Sequence, residues 1–144
     1  MIRLPILVVV LGASAALAEP MDRGRVTVVD GDTIRVAGEL VRLVGFNTPE
    51  TRGAQCPAER QAGHEATRRL RQIVAGGGLD LTLIRCACAP GTEGTPRCNY
   101  GRRCGVLRSR GSDVGQILIS ERHAVPFVCG ETRCPATPQP WCGS

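Results

Sequence analysis

Residues 28–52 read VVDGDTIRVAGELVRLVGFNTPETR, and this stretch decides the fold. Apolar and polar positions alternate over residues 25–29 and 33–36 on either side of Asp30-Gly31-Asp32, and a third run over 40–46 follows a turn at Ala37-Gly38-Glu39. Period-two patterning bounded by glycine and aspartate turns predicts three strands in a meander. Alternation turns Arg42 away from Val41 and Leu43, toward the mouth of a curled sheet. Thr48-Pro49-Glu50 ends the third strand, because proline supplies no ladder donor and biases Thr48 toward an extended backbone. Asp32, Arg42, Asn47 and Glu50 then gather at one rim, where packing alone gives no reason for them.

Outside this stretch, the chain first shows a leader. Residues 1–18 carry a basic start at Arg3, an apolar run from Leu4 to Leu11 and the triplet Ala16-Leu17-Ala18, the form of a secretory signal peptide with its cleavage site. The apolar run is short for a membrane span, and no cysteine follows the cleavage site to accept a lipid. The mature product is therefore expected to be exported, periplasmic or secreted, without membrane contact. What remains suits one domain, residues 19–128, with a Cys/Pro-rich tail over 129–144 packed on it, and the expected state is a monomer.

All 18 basic residues are arginine, set against 13 acids for a net charge of +5. Planar guanidinium forks match phosphate, so the balance admits a polyanionic partner. Aromatic residues make up 3% of the chain, which excludes a nucleic-acid binder built on rows of stacking rings. The 8 cysteines all follow the leader, and an even number in an exported chain predicts four disulfides. Zinc held by Cys86, Cys88, Cys98 and Cys104 is the rival reading, but these spacings lack the usual C-x2-C pair.

Further along, residues 57–75 form a predicted helix, with proline in its first turn, an apolar stripe of Ala62, Ala66, Leu70, Ile73 and Val74, and Gly76-Gly77-Gly78 as its stop. Strands are predicted over 79–86 and 104–109, separated by a Pro/Gly/Thr-rich loop that cysteines staple. Asp113 caps a second helix, with Gln116 three residues on. His64 and His123 read as surface residues. Five strands with two or three helices make an α+β chain, and a small closed β-barrel of the oligonucleotide-binding (OB) type accommodates them; strand count alone also admits a sandwich.

DGDT (30–33), RLVGFNTPE (42–50) and YGR (100–102) together resemble the staphylococcal nuclease (thermonuclease) family, whose pattern runs D-G-D-T, R-L-x-x-x-D-T-P-E and Y-G-R. The order agrees over residues 25–128. The resemblance implies a five-stranded OB-fold barrel and a calcium-dependent endonuclease that hydrolyses DNA and RNA to 3′-phosphate ends. It implies that Asp32 and the Thr48 carbonyl bind calcium, with Asp30 outside them, that Glu50 is the general base, that Arg42 and Arg102 grip the scissile phosphate, and that Tyr100 lies beside the nucleotide. Asn47 stands where the family has a second metal-binding aspartate. An amide oxygen can coordinate calcium, but one negative charge is lost.

Two other classes compete. A catalytically silent OB-fold binding module of the same family keeps the barrel without the chemistry, since fold does not license function. A disulfide-rich envelope protein or inhibitor would use the acids only in turns.

Overall fold

The computed structural model describes residues 21–143; the leader read over 1–18 lies outside the described residues. Strands β1 (Val26–Val28), β2 (Thr33–Val36) and β3 (Glu39–Leu43) form the expected antiparallel meander. The β2–β3 turn is Ala37-Gly38, both at positive φ (49° and 85°), the backbone twist that a two-residue hairpin needs. The third expected strand is broken at Val44. Its continuation, β4 (Gly45–Asn47), leaves the main sheet and pairs antiparallel with β8 (Val125–Phe127), a strand the sequence reading did not foresee. Gly45, at φ 94°, takes the bend.

Helix α1 (Pro57–Gly76) follows, then β5 (Leu79–Ile84), β6 (Arg103–Ser109), the two-residue β7 (Ser112–Asp113) and helix α2 (Val114–Ser120). The strand path is β1-β2-β3-β6-β5, so the five anticipated strands all occur, the third of them split into β3 and β4, and the short β7 and β8 join them. The result is a curled mixed sheet carrying two α-helices. Among the described residues, only β3 and β6 run parallel, with Arg42 opposite Cys104. That pairing needs a long crossover, which α1 and β5 supply.

The apolar faces of both helices and the sheet meet in one core that includes Ile34, Val41, Leu43, Phe46, Leu70 and Leu118. Val41 and Leu43 share the buried face while Arg42 between them faces the other way. The Asp113 carboxylate caps α2 by accepting from the Gln116 N–H at 3.1 Å, as its spacing predicts.

All 8 cysteines are paired. Cys86–Cys104 and Cys88–Cys98 staple the loop between β5 and β6, which removes the zinc alternative for these four residues. Cys129–Cys134 closes a small loop in the tail, and Cys56–Cys142 ties the tail to the start of α1. Four disulfides belong to an oxidising compartment. Among the described residues, no helix is long and apolar enough to cross a membrane.

One close approach positions the rim. A Cβ at Gly63 of α1 would lie 2.7 Å from the Glu50 carbonyl oxygen and 2.8 Å from that of Pro49. The helix backbone thus serves as a stop for the loop that carries Glu50. Gly63→Ala should displace this loop at a cost of about 1–3 kcal/mol, read as a lower unfolding midpoint in guanidinium; an unchanged midpoint would show that the loop yields freely.

Candidate active site

Pairing across three strands sets a row at the rim. Thr33 of β2 faces Arg42 of β3, which faces Cys104 of β6 in parallel register. Asp32 precedes the first of these residues, and Arg102 lies two positions before the last. Motifs far apart in sequence therefore converge.

Asp32 is the hub, 7% exposed. Its Oδ2 accepts from the Thr48 N–H at 3.3 Å and the Thr48 hydroxyl at 3.1 Å, and pairs with Arg42 Nη2 at 3.1 Å. Its Oδ1 accepts from the Thr33 hydroxyl at 3.2 Å. Burial pushes the Asp32 carboxyl up from its ordinary value; the Arg42 charge and the Thr48 N–H pull it back. Asp30 serves the turn, accepting from the Asp32 N–H at 3.1 Å. Gly31 is required between them, since a Cβ there would come within 2.7 Å of the Thr48 hydroxyl.

Arg42 is held on one side. Nη2 donates to the Phe46 carbonyl at 3.1 Å and to Asn47 Oδ1 at 3.0 Å, and Nη1 donates to the Leu43 carbonyl. The Nε–H and the second Nη1–H have no acceptor among the described residues, so two donors stay available to an anion. Arg102 donates from Nη1 to the Thr33 hydroxyl at 3.2 Å, from Nη2 to Asn99 Oδ1 at 2.8 Å and from Nε to the Asn99 carbonyl at 3.1 Å. Its guanidinium carbon stands 5.6 Å from the centre of the Tyr100 ring, and Tyr100 itself is 86% exposed. One chain of contacts thus runs from Arg102 through Thr33 and Asp32 to Arg42 and Asn47.

Glu50 is half-buried at the edge of this network. Burial pushes its carboxyl up, and the charges of Asp32, Asp30 and Glu59 push further against a smaller pull from Arg42. Glu59, 1% exposed, holds the Glu50 loop by accepting from the Glu50 N–H at 3.3 Å and the Gln55 N–H at 2.7 Å. Sequence reasoning missed Glu59 as well as Thr33 and Asn99. An acid two residues after a helix-starting proline is a first-turn signal, but nothing local says which loop it would bind.

Asn47 is 3% exposed; its Oδ1 faces Arg42 and its Nδ2 donates to the Pro138 carbonyl at 3.0 Å. Calcium takes roughly six to eight oxygen ligands. Here the Asp32 oxygens are engaged by hydroxyl, N–H and guanidinium donors, and the Asn47 oxygen by Arg42. Among the described residues, no group of three or more His, Cys, Asp or Glu could hold a metal ion. In this arrangement Arg42 supplies the positive charge beside Asp32.

A cavity of about 400 Å³ opens beside the rim. Arg42 and Asn99 line it on the polar side, and Phe46, Ile84, Phe127 and disulfide sulfurs make its apolar wall. The cysteine loop read from sequence as a structural insertion is one side of this wall.

No family model matches the sequence. Over 117 residues, 77% of this chain, the sequence is 35% identical to the succinoglycan biosynthesis protein ExoI of Rhizobium meliloti (strain 1021). The chain spans 54% of the length of that protein.

Proposed function

We propose that the chain is an exported nuclease, hydrolysing phosphodiester bonds of DNA or RNA, of the staphylococcal nuclease type. The observation that carries this reading is the single network joining Arg102, Thr33, Asp32 and Arg42, with the raised Glu50 carboxyl beside it. Arg42 keeps its Nε–H and one Nη1–H, and Arg102 one N–H on each Nη, as single donors for phosphate oxygens. Glu50 takes the proton of the attacking water as the new P–O bond forms. The P–O5′ bond breaks, the 5′ oxygen takes a proton from solvent, and the phosphate stays on the 3′ side. Tyr100 lies beside the nucleotide, and the apolar cavity next to Arg42 suits its base.

A closed OB-type barrel agrees with this reading. The strand path β1-β2-β3-β6-β5 is that expected of five barrel strands, and Met21, just ahead of β1, donates its N–H to the Leu79 carbonyl of β5 at 3.1 Å.

The test is cleavage of single-stranded DNA and of RNA by the oxidised full chain with calcium, with magnesium and with chelator. Cleavage in any arm that Glu50→Gln removes supports the reading. Binding without cleavage in every arm would replace it with the silent binding module. The similarity to a succinoglycan biosynthesis protein favours a second reading, a role in exopolysaccharide production, and an acidic polysaccharide offered in the same assay separates the two.

Glu50 also sets the pH dependence. A base acts only when ionised, and its raised pKa keeps it protonated to higher pH than an ordinary glutamate near about 4.3. The rate should therefore fall with decreasing pH at a point above that value, read as the acid limb of kcat/KM. An acid limb at or below the ordinary value would exclude Glu50 as the base in this environment.

A further inference from the structure

Position 47 is where the chain departs from the motif it resembles, and the structure gives its side chain a partner that a carboxylate could not serve. Asn47 Oδ1 accepts from Arg42 Nη2 and Asn47 Nδ2 donates to the Pro138 carbonyl, each at 3.0 Å. Chemistry fixes this orientation: a guanidinium only donates and a carbonyl only accepts, so a flipped amide would set donor against donor and acceptor against acceptor. Pro138 is tethered to the rim. Cys142 is bonded to Cys56, the N-cap residue of α1, and Gln55 Nε2 donates to Gln139 Oε1 at 2.8 Å beside it. A covalently anchored carbonyl therefore orients an amide, which in turn orients the guanidinium paired with Asp32.

We propose that Asn47 is a positioning residue, held by the Pro138 carbonyl of the C-terminal strap, that keeps Arg42 aimed at the substrate phosphate. The strap is a working part of the site, and position 47 requires an amide there. The aim of Arg42 rests on the phosphodiesterase reading; the coupling between Asn47 and the strap does not. Asn47→Asp restores the residue of the resembled motif yet sets an acceptor against the Pro138 carbonyl in a buried place.

The test compares Asn47→Asp in the tethered full chain and in full-length Cys56→Ser/Cys142→Ser, where serine still caps α1. With the tether intact, the substitution should lower the thermal midpoint by about 5 °C, measured without substrate. It should also lower kcat/KM on an oligonucleotide about tenfold, mainly through kcat, whether or not calcium is present. In the untethered chain both effects should shrink to less than about half of these values, because the strap no longer forces the clash. Equal effects in the two backgrounds would overturn the proposal. So would a calcium-dependent gain in activity for tethered Asn47→Asp, since position 47 would then be a metal ligand. Should Asn47→Asp fail to fold, Asn47→Ser, too short to reach Pro138, is compared in the same two backgrounds. If no variant cleaves, the nuclease reading fails, and the midpoint coupling alone decides the role of the strap.

Discussion

Asp32→Ala is expected to lower the unfolding free energy by about 3–5 kcal/mol, the largest stability loss of any single change at the rim. The carboxylate is buried and accepts from the Thr33 and Thr48 hydroxyls and the Thr48 N–H while pairing with Arg42 at 3.1 Å. Its removal leaves a guanidinium whose side chain is only 11% exposed without its countercharge. Asp32→Asn keeps an oxygen but not the charge and should cost less, about 1–3 kcal/mol. Guanidinium unfolding with the disulfides oxidised reads both values. A loss under about 1 kcal/mol for the alanine variant would mean that Arg42 escapes to solvent and that the network is not what holds the rim together.

Glu50→Gln should reduce cleavage by about 10²–10⁴-fold, the range for losing a general base. Its stability should move the other way. A folded-state pKa raised above the unfolded value means that folding favours the protonated, neutral carboxyl, so stability from this group is present at low pH and lost as pH rises through the folded pKa. At neutral pH the neutral amide removes the penalty of a half-buried charge among three acids, and the thermal midpoint should hold or rise. Such a trade of stability for a charged group belongs to functional sites. Loss of activity together with a fall in midpoint would point instead to a structural role for the Glu50 side chain.

How much of this the sequence disclosed follows the range of each interaction. The meander was legible because turn residues and alternation act within a few positions: Asp30-Gly31-Asp32 and Ala37-Gly38 each sit where a hairpin needs them. Helix α1 ends at the predicted glycines, because the non-local donors there, from Arg23 to the Ala75 carbonyl and from Arg110 to the Gly76 carbonyl, reinforce the local stop. The split of the third strand at Gly45 was hidden, because the cause is pairing with β8, and β8 contains Pro126, which reads as a strand breaker but is tolerated on an edge. Arg42, Asp32 and Arg102 were identified through motifs, and the sheet register then explains why they meet. Glu59 and Pro138 were not legible. Glu59 acts on backbone N–H groups that bear no sequence signature, and Pro138 acts through its carbonyl, 91 residues from Asn47. The cysteine partners were likewise closed to inspection, as pairing depends on which loops the fold brings together.

The bond between Cys56 and Cys142, 86 positions apart, turns most of the chain into a covalent ring. The exposed stretch from Glu131 to Thr137 is the natural place for a protease to clip this molecule. A clip there opens the ring without setting either piece free. Pro138 and Gln139 remain fastened beside Asn47, and the damage becomes visible as two fragments only after reduction. A protein so built outlasts its own cleavage in surroundings rich in peptidases.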